Sequence, residues 1–278
     1  MKKSLKLLAL LLTLTLVLSG AIAACAESAS GKLAEIQKKG KIVMGTDAVW
    51  APFEYIGANG EATGADVEIA QYIAEQLGVE LEILNVSFDT LTTYLVNDEV
   101  DIVLAAMTIT EERAETVAFS QPYTVAAQYI VVPEDDDTTT YIDDLAGKTI
   151  GVHLGTTGDF IASDEVDLPT GVLFGTGASV QQYKSLPDAT LAMKNGELGA
   201  IICDTLMAEN LVATNDGIKC FELVYADGTK TTEEYGIAMK KGDDEFVAKI
   251  NEITAPIVED GTVDNWIVEH TELASQVD

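Results

Sequence analysis

Two pairs of segments recur in the same order along the chain, and this echo limits the fold more than any other feature. KIVMGTD, from Lys41, is answered by KTIGVHLGTT, from Lys148; VNDEVDIVLA, from Val96, is answered by KNGELGAIIC, from Lys194. Each is or contains a short apolar run with the length and β-branching of a strand buried on both faces. Between the first two, Ala65 to Leu77 has helical spacing: Ile69, Ile73 and Leu77 share one face with Ala70 and Ala74, and Gly78 is a C-terminal stop. Glu80 to Val86 alternates as a strand. Phe88 to Val96 reads as a second helix with Leu91, Tyr94 and Leu95 inward. The second unit has a strand at Lys148–His153, a helix from about Asp159, a strand at Gly171–Phe174, a helix at Pro187–Lys194 and a strand at Gly199–Cys203. A βαβαβ order of this kind implies a doubly wound sheet. The expected fold is α/β with two lobes of one design, each a mainly parallel sheet flanked by helices.

Gln128–Val132 reads as the strand that carries the chain into the second lobe, and a crossover near Thr231–Glu234 is expected to bring it back. The strand Tyr235–Met239 and helices around Asp243–Val258 and Val263–Glu269 then complete the first lobe. Two connecting strands make a hinge. The expected segments are 40–127 and 233–278 for lobe 1 and 128–232 for lobe 2.

Val100 to Tyr123 is the stretch best suited to build a cleft. VDIVLAA reads as a buried strand, and Thr108 with Glu111 has the spacing of a capping box, so a short helix with outward-facing amides should follow. Arg113 then adds a planar fork of donors suited to a carboxylate. It is the only arginine in a chain with 16 basic and 46 acidic residues. The bland alternative is a surface arginine paired with Glu112 or Glu115. The carboxyl end of a strand, however, is where open α/β sheets bind ligands.

A formal net charge of −30 leaves no basic footprint for nucleic acid. His153 and His270 lie far apart with no cysteine cluster, so no metal site or cofactor is expected. Met1–Ala24 has a basic start, an apolar run from Leu5 to Leu18 and a small-residue exit, the layout of a secretory leader. Ile22-Ala23-Ala24-Cys25 resembles a bacterial lipobox, which makes Cys25 a lipidation site and residues 25–39 a lipid-anchored tether. Cleavage without a lipid and an uncleaved anchor are the alternatives. Cys203 and Cys220 fall in expected strands, as two buried thiols or as a disulfide.

TDAVWAPFEY, GADVEIA, AAMTITEER, FSQPY, GKTIGVHLGTTG, AIICD and YGIAMKKGD, in that order, resemble the extracytoplasmic polar amino-acid-binding proteins of ABC importers, solute-binding proteins with the periplasmic type II fold. The resemblance runs from about Gly40 to His270. It implies that Arg113 grips the α-carboxylate of an amino acid, helped by Thr108 and by Thr157 beside Thr156, and that Asp204 takes the α-ammonium. It places Trp50 over the ligand, Phe88 at the opposite wall, Asp47 at the ligand side chain, and the backbone of Ala106 at a further contact. The residues themselves leave alternatives: Asp204 as an N-cap for TLMAENL, Trp50 and Phe88 as core aromatics, and His153 as a polar contact or merely a strand end. The resemblance implies a monomeric, non-catalytic carrier of a polar or cationic amino acid, working with permease subunits and held to the membrane by its N-terminal lipid. A dehydratase on the same fold and a sensor module are the competing readings.

Overall fold

The computed structural model describes residues 31–276. The chain begins with α1 (Lys32–Lys39) and β1 (Lys41–Thr46), followed by a small three-stranded sheet of β2 (Val49–Trp50), β3 (Glu54–Ile56) and β4 (Ala62–Thr63). Then come α2 (Ala65–Leu77), β5 (Glu80–Asn85), a 3-10 turn at Phe88–Thr90 that runs into α3 (Leu91–Val96), β6 (Ile102–Val103), α4 (Glu111–Thr116), β7 (Val117–Phe119), β8 (Thr124–Ala126) and β9 (Gln128–Pro133). The next half holds β10 (Thr149–His153), α5 (Thr157–Asp167), β11 (Ser179–Tyr183), α6 (Leu186–Lys194), β12 (Ala200–Asp204), α7 (Thr205–Thr214) and β13 (Ile218–Glu222). The chain closes with β14 (Glu233–Tyr235), β15 (Ala238–Lys240), α8 (Asp244–Glu259) and α9 (Thr262–Ala274).

Two five-stranded sheets carry the two lobes, in the orders β5-β1-β6-β15-β7 and β11-β10-β12-β9-β13. The echoed segments hold the same places: β1 and β10 stand second, β6 and β12 third. In each sheet the second strand pairs in parallel with both neighbours. The fourth strand is antiparallel to both of its neighbours. The sheets are therefore mixed, not mainly parallel, because β9 and β15 each enter directly from a crossover. The crossovers themselves, β8 and β14, pair antiparallel with Thr124 opposite Tyr235 and Ala126 opposite Glu233.

α2 fulfils its periodicity: Ile69, Ala70, Ile73 and Ala74 are fully buried, and Gly78 caps the helix in the left-handed conformation with its amide on the Ala74 carbonyl. Leu91 and Leu95 of α3 face inward as expected, with Tyr94 only half-buried. Several expectations are corrected. Lys32–Lys39, assigned to a tether, is a helix that buries Ile36, so the tether reading cannot extend past residue 31. The leader and Cys25 lie outside the described residues. Gly171–Phe174 is not a strand but a turn folded back on α5: the amides of Gly171 and Leu173 donate to the Leu168 and Glu165 carbonyls, and a Cβ on Gly171 would meet the Glu165 carbonyl oxygen at 2.3 Å. The strand of this unit is the polar SVQQY of β11, an edge strand that periodicity does not flag.

The capping box is displaced. Thr108 stays extended in a bridge to Tyr235, and the Ile109 amide donates to the Glu234 carbonyl, so the chain turns helical only after Thr110. Thr110 caps α4, its hydroxyl accepting from the Arg113 amide at 3.1 Å. The strand expected over Val100–Ala106 is regular only at Ile102–Val103, and the strand expected over Tyr235–Met239 breaks at Gly236. Cys203 and Cys220 are free thiols, the first buried and the second half-buried. Among the described residues no helix is long and apolar enough to cross a membrane, and no group of three acidic, histidine or cysteine residues could hold a metal ion.

Candidate functional site

The carboxyl ends of β1 and β6 in one lobe and of β10 and β12 in the other converge on a narrow cleft. All nine residues expected at the site line it: Asp47, Trp50, Phe88, Ala106, Thr108 and Arg113 from the first lobe, Thr156, Thr157 and Asp204 from the second. A strand ending, a short turn or the first turn of a helix that follows a strand leaves side chains pointing past the sheet edge instead of into a neighbouring layer, and each of these residues sits in one of those places.

Arg113 is 9% exposed, and its guanidinium donates to the Thr108 carbonyl at 2.7 Å and, across the cleft, to the Gly155 carbonyl at 3.0 Å. Its Cζ lies 5.3 Å from the centre of the Phe88 ring and 5.9 Å from that of Phe160. Burial lowers its pKa, and Asp204 and Glu233 oppose that shift. The fork is thus fixed by two carbonyls while donors remain for an anion.

Asp204 is the last residue of β12 and occupies the N-cap position of α7, yet its carboxylate makes no capping bond. It accepts from the side-chain amide of Gln128 at 2.6 Å and from the Tyr235 hydroxyl. The N-cap alternative therefore fails. Burial raises its pKa to about 7, Glu233 adds to the shift, and the bonds from Tyr235 and Gln128 oppose it. Thr157 donates to Glu233 at 2.9 Å, and Thr108 donates to the same carboxylate oxygen at 2.8 Å. Glu233, on the crossover strand β14, thus joins the two lobes. The Thr156 hydroxyl is committed locally: it donates to the His153 carbonyl at 2.8 Å and accepts from the Asp159 amide at the start of α5.

Asp47 accepts the Phe88 amide at 2.8 Å. Trp50 is 5% exposed with its indole N–H buried and unpartnered. Ala106 has φ 46, an uncommon conformation for a residue with a side chain, and its amide donates to Asp66 at 2.8 Å. Asp66 also accepts from the Tyr123 hydroxyl at 3.0 Å. Its pKa rises to about 6, because burial outweighs these bonds. Beside it Glu54, 1% exposed and lining the cleft, has one carboxyl oxygen without a partner, and burial followed by the charge of Asp66 pushes its pKa well up.

Glu54, Gln128, Glu233 and Tyr235 escaped the sequence reading. An acid inside the apolar hairpin WAPFEY and a glutamine opening the apolar strand QYIVV are readable signals. Glu233 sits in a polar loop sequence and carries none.

Three buried acids share one sign of linkage. Asp66, Asp204 and Glu54 have folded-state values above their ordinary ones, so the folded protein holds more protons than the unfolded chain between about pH 4 and 7. Stability is therefore expected to fall as pH rises through that window. Asp136, lowered through its Lys148 and Thr138 bonds despite some desolvation, acts in the opposite sense and only as pH drops toward its unfolded value and below. The melting temperature of ligand-free protein should be higher at pH 5 than at pH 8; a flat or rising profile would contradict the burial of these carboxyls.

The sequence model of bacterial extracellular solute-binding proteins, family 3, matches residues 42–270. The chain is 31% identical over 235 residues to the L-cystine-binding protein TcyJ of Escherichia coli (strain K12), covering 84% of this chain and 83% of that one. It is 31% identical over 255 residues to the arginine-binding extracellular protein ArtP of Bacillus subtilis (strain 168), covering 92% and 94%. Among solved structures, holo ArgBP from T. maritima superposes with a TM-score of 0.73 at 36% identity, covering 84% of this chain and 98% of that one.

Proposed function

The chain belongs to the bacterial extracellular solute-binding proteins, family 3, and on that premise we propose that it captures a basic amino acid in the interlobe cleft and passes it unchanged to the permease of an ABC importer. The observation that carries this is the charge balance of the cleft. One guanidinium, Arg113, is set against Asp47, Glu54 and Asp204 on its walls, with Asp66 and Glu233 directly behind them. Burying a zwitterion needs one cation and one anion. Arg113 and Asp204 meet that need, with Thr108 and Thr157 flanking the carboxylate. The acids left over suit a second positive charge on the ligand, at Asp47 and Glu54. Trp50 and Phe88, the aromatic walls of the same pocket, suit a planar cation, which an arginine side chain supplies.

In this reading residues 40–127 and 233–278 form one lobe and 128–232 the other. The paired β8 and β14 act as the hinge. A ligand touching both lobes binds the closed arrangement better, and that difference is what moves the population toward it. Residues 1–24 direct export, and lipidation of Cys25 holds a monomeric receptor at the membrane near its permease.

A thermal-shift panel of the twenty amino acids plus L-cystine tests the ligand class. A ligand at 100 times its dissociation constant stabilises the folded state by about 2.7 kcal/mol. Arginine, lysine or histidine is expected to give the largest shift, and aspartate and glutamate none. A response confined to cystine or to acidic amino acids would refute the basic-ligand reading.

A further inference from the structure

We propose that the buried carboxyls of Glu54 and Asp66 hold one proton between them, with Glu54 as the donor and Asp66 as the acceptor, and that a cationic ligand side chain expels this proton from the cleft. The expulsion rests on the basic-ligand reading; the shared proton does not.

The backbone brings the two acids together. The start of α2 folds onto the β3 hairpin: the Ala65 amide donates to the Pro52 carbonyl at 3.1 Å and the Asp66 amide to the Phe53 carbonyl at 2.9 Å. Gly64 permits this approach, because a Cβ there would meet the Phe53 carbonyl oxygen at 2.1 Å and the Glu54 nitrogen at 2.8 Å. Glu54 and Asp66 are then 1% and 0% exposed, and each keeps one buried oxygen, Oε2 and Oδ1, without a partner. Two ionised carboxylates only accept, so neither can satisfy the other, and burying both charges side by side is opposed by desolvation and repulsion. One proton removes both faults. It converts two orphaned acceptors into a hydrogen bond and leaves one charge where there were two.

The surroundings decide which acid carries it. Oδ2 of Asp66 already accepts from the Ala106 amide and the Tyr123 hydroxyl, and Asp66 lies in the first turn of α2, where the helix amides favour an anion. Oε2 of Glu54 has no donor, and its carboxyl is pushed well up by burial, by Asp66, by Asp47 and, where the lobes meet, by Asp204. The proton therefore belongs to Glu54. The basic side chains of the cleft are engaged elsewhere: Arg113 donates to the Thr108 and Gly155 carbonyls, and His153 Nε2 stands 3.4 Å from Asp47. Glu54, Asp66, Ala106 and Tyr123 all lie in the first lobe, so the pair needs no contact from the second and persists when the cleft opens.

Glu54 lines the cleft, with Asp66 behind it holding the amide of Ala106. In ligand-free protein the shared proton spares this wall a surplus negative charge. A guanidinium or ammonium arriving at Glu54 favours its ionised form, the proton passes to solvent, and the second charge of the pair appears only when a cation is there to meet it.

Glu54→Gln separates the two parts of the proposal, because its side-chain amide can donate to Asp66 as the protonated acid does but has no proton to release. Infrared difference spectra of ligand-free protein at pH 7, wild type minus Glu54→Gln, should show the carbonyl stretch of a protonated carboxyl, and saturating L-arginine should abolish it in the wild type. Absence of the band without ligand would overturn the shared proton, and its persistence at arginine saturation would overturn the expulsion. The variant should keep the wild-type melting temperature at pH 5; a clear loss would show that Asp66 receives no proton from Glu54. Calorimetry at pH 7 in two buffers of different ionisation enthalpy should find that Glu54→Gln binds arginine about tenfold more weakly and releases about one proton fewer than the wild type. Equal proton release would count against the pair as its source, since Asp204 is unchanged in both proteins. If no basic amino acid binds the wild type, the basic-ligand reading fails, while the ligand-free spectrum still decides whether the proton is shared.

Discussion

Arg113→Ala is expected to lose amino-acid binding by about two to four orders of magnitude, the equivalent of about 3–5 kcal/mol for leaving a buried carboxylate without its partner. The fold should survive. The guanidinium donates only to the Thr108 and Gly155 carbonyls and lies against Phe88 and Phe160 at the cleft, so no layer of either sheet rests on it. The melting temperature of ligand-free protein should therefore move little, while the shift produced by ligand disappears. Arg113→Lys should recover only part of the affinity, because an ammonium is a point charge without the planar fork. Calorimetric affinity of Arg113→Ala within tenfold of wild type would show that the carboxylate is held elsewhere.

Asp204→Asn should cost about 2–5 kcal/mol of binding, since the ligand ammonium then enters the cleft facing a neutral amide. The pH profile separates this from a loss of packing. The carboxyl of Asp204 has a value near 7 because burial, and then Glu233, disfavours its charge. The ligand ammonium favours the ionised form, so below about pH 7 binding must expel a proton, and affinity should fall by up to tenfold per pH unit of acidification. Calorimetry at pH 6.5 in two buffers of different ionisation enthalpy should report proton release by the wild type, reduced in Asp204→Asn. Glu54 and Asp66, also raised by burial, can supply the remainder when a cationic side chain arrives. An equal pH slope in wild type and Asp204→Asn would remove Asp204 from the ammonium site.

Arg113 was legible as a cleft residue from local patterning, because it follows a strand and a turn in a chain with no other arginine; Trp50 and Thr157 were expected at the cleft only through the family resemblance. The capping threonine was misread by two residues, since the Thr108 backbone pairs with Tyr235, a residue far along the chain. The strand at Ser179–Tyr183 went unread because an edge strand with Gln181 and Gln182 exposed need not show an apolar rhythm.

By itself, the sequence determined the two-lobed α/β plan, the placement of a single arginine beside a strand end, and the acidic excess, because these depend on apolar periodicity, strand length and composition. Only the tertiary structure decided which acids share the cleft, that Glu233 accepts from Thr108 and Thr157 on opposite lobes, and that the His153 ring stacks on Trp50 of the other lobe. Those partners are separated by up to 125 positions in the chain. No local pattern encodes their meeting, because burial, and with it the raised pKa values of Asp66 and Asp204, exists only once the strands of both sheets bring their carboxyl ends together.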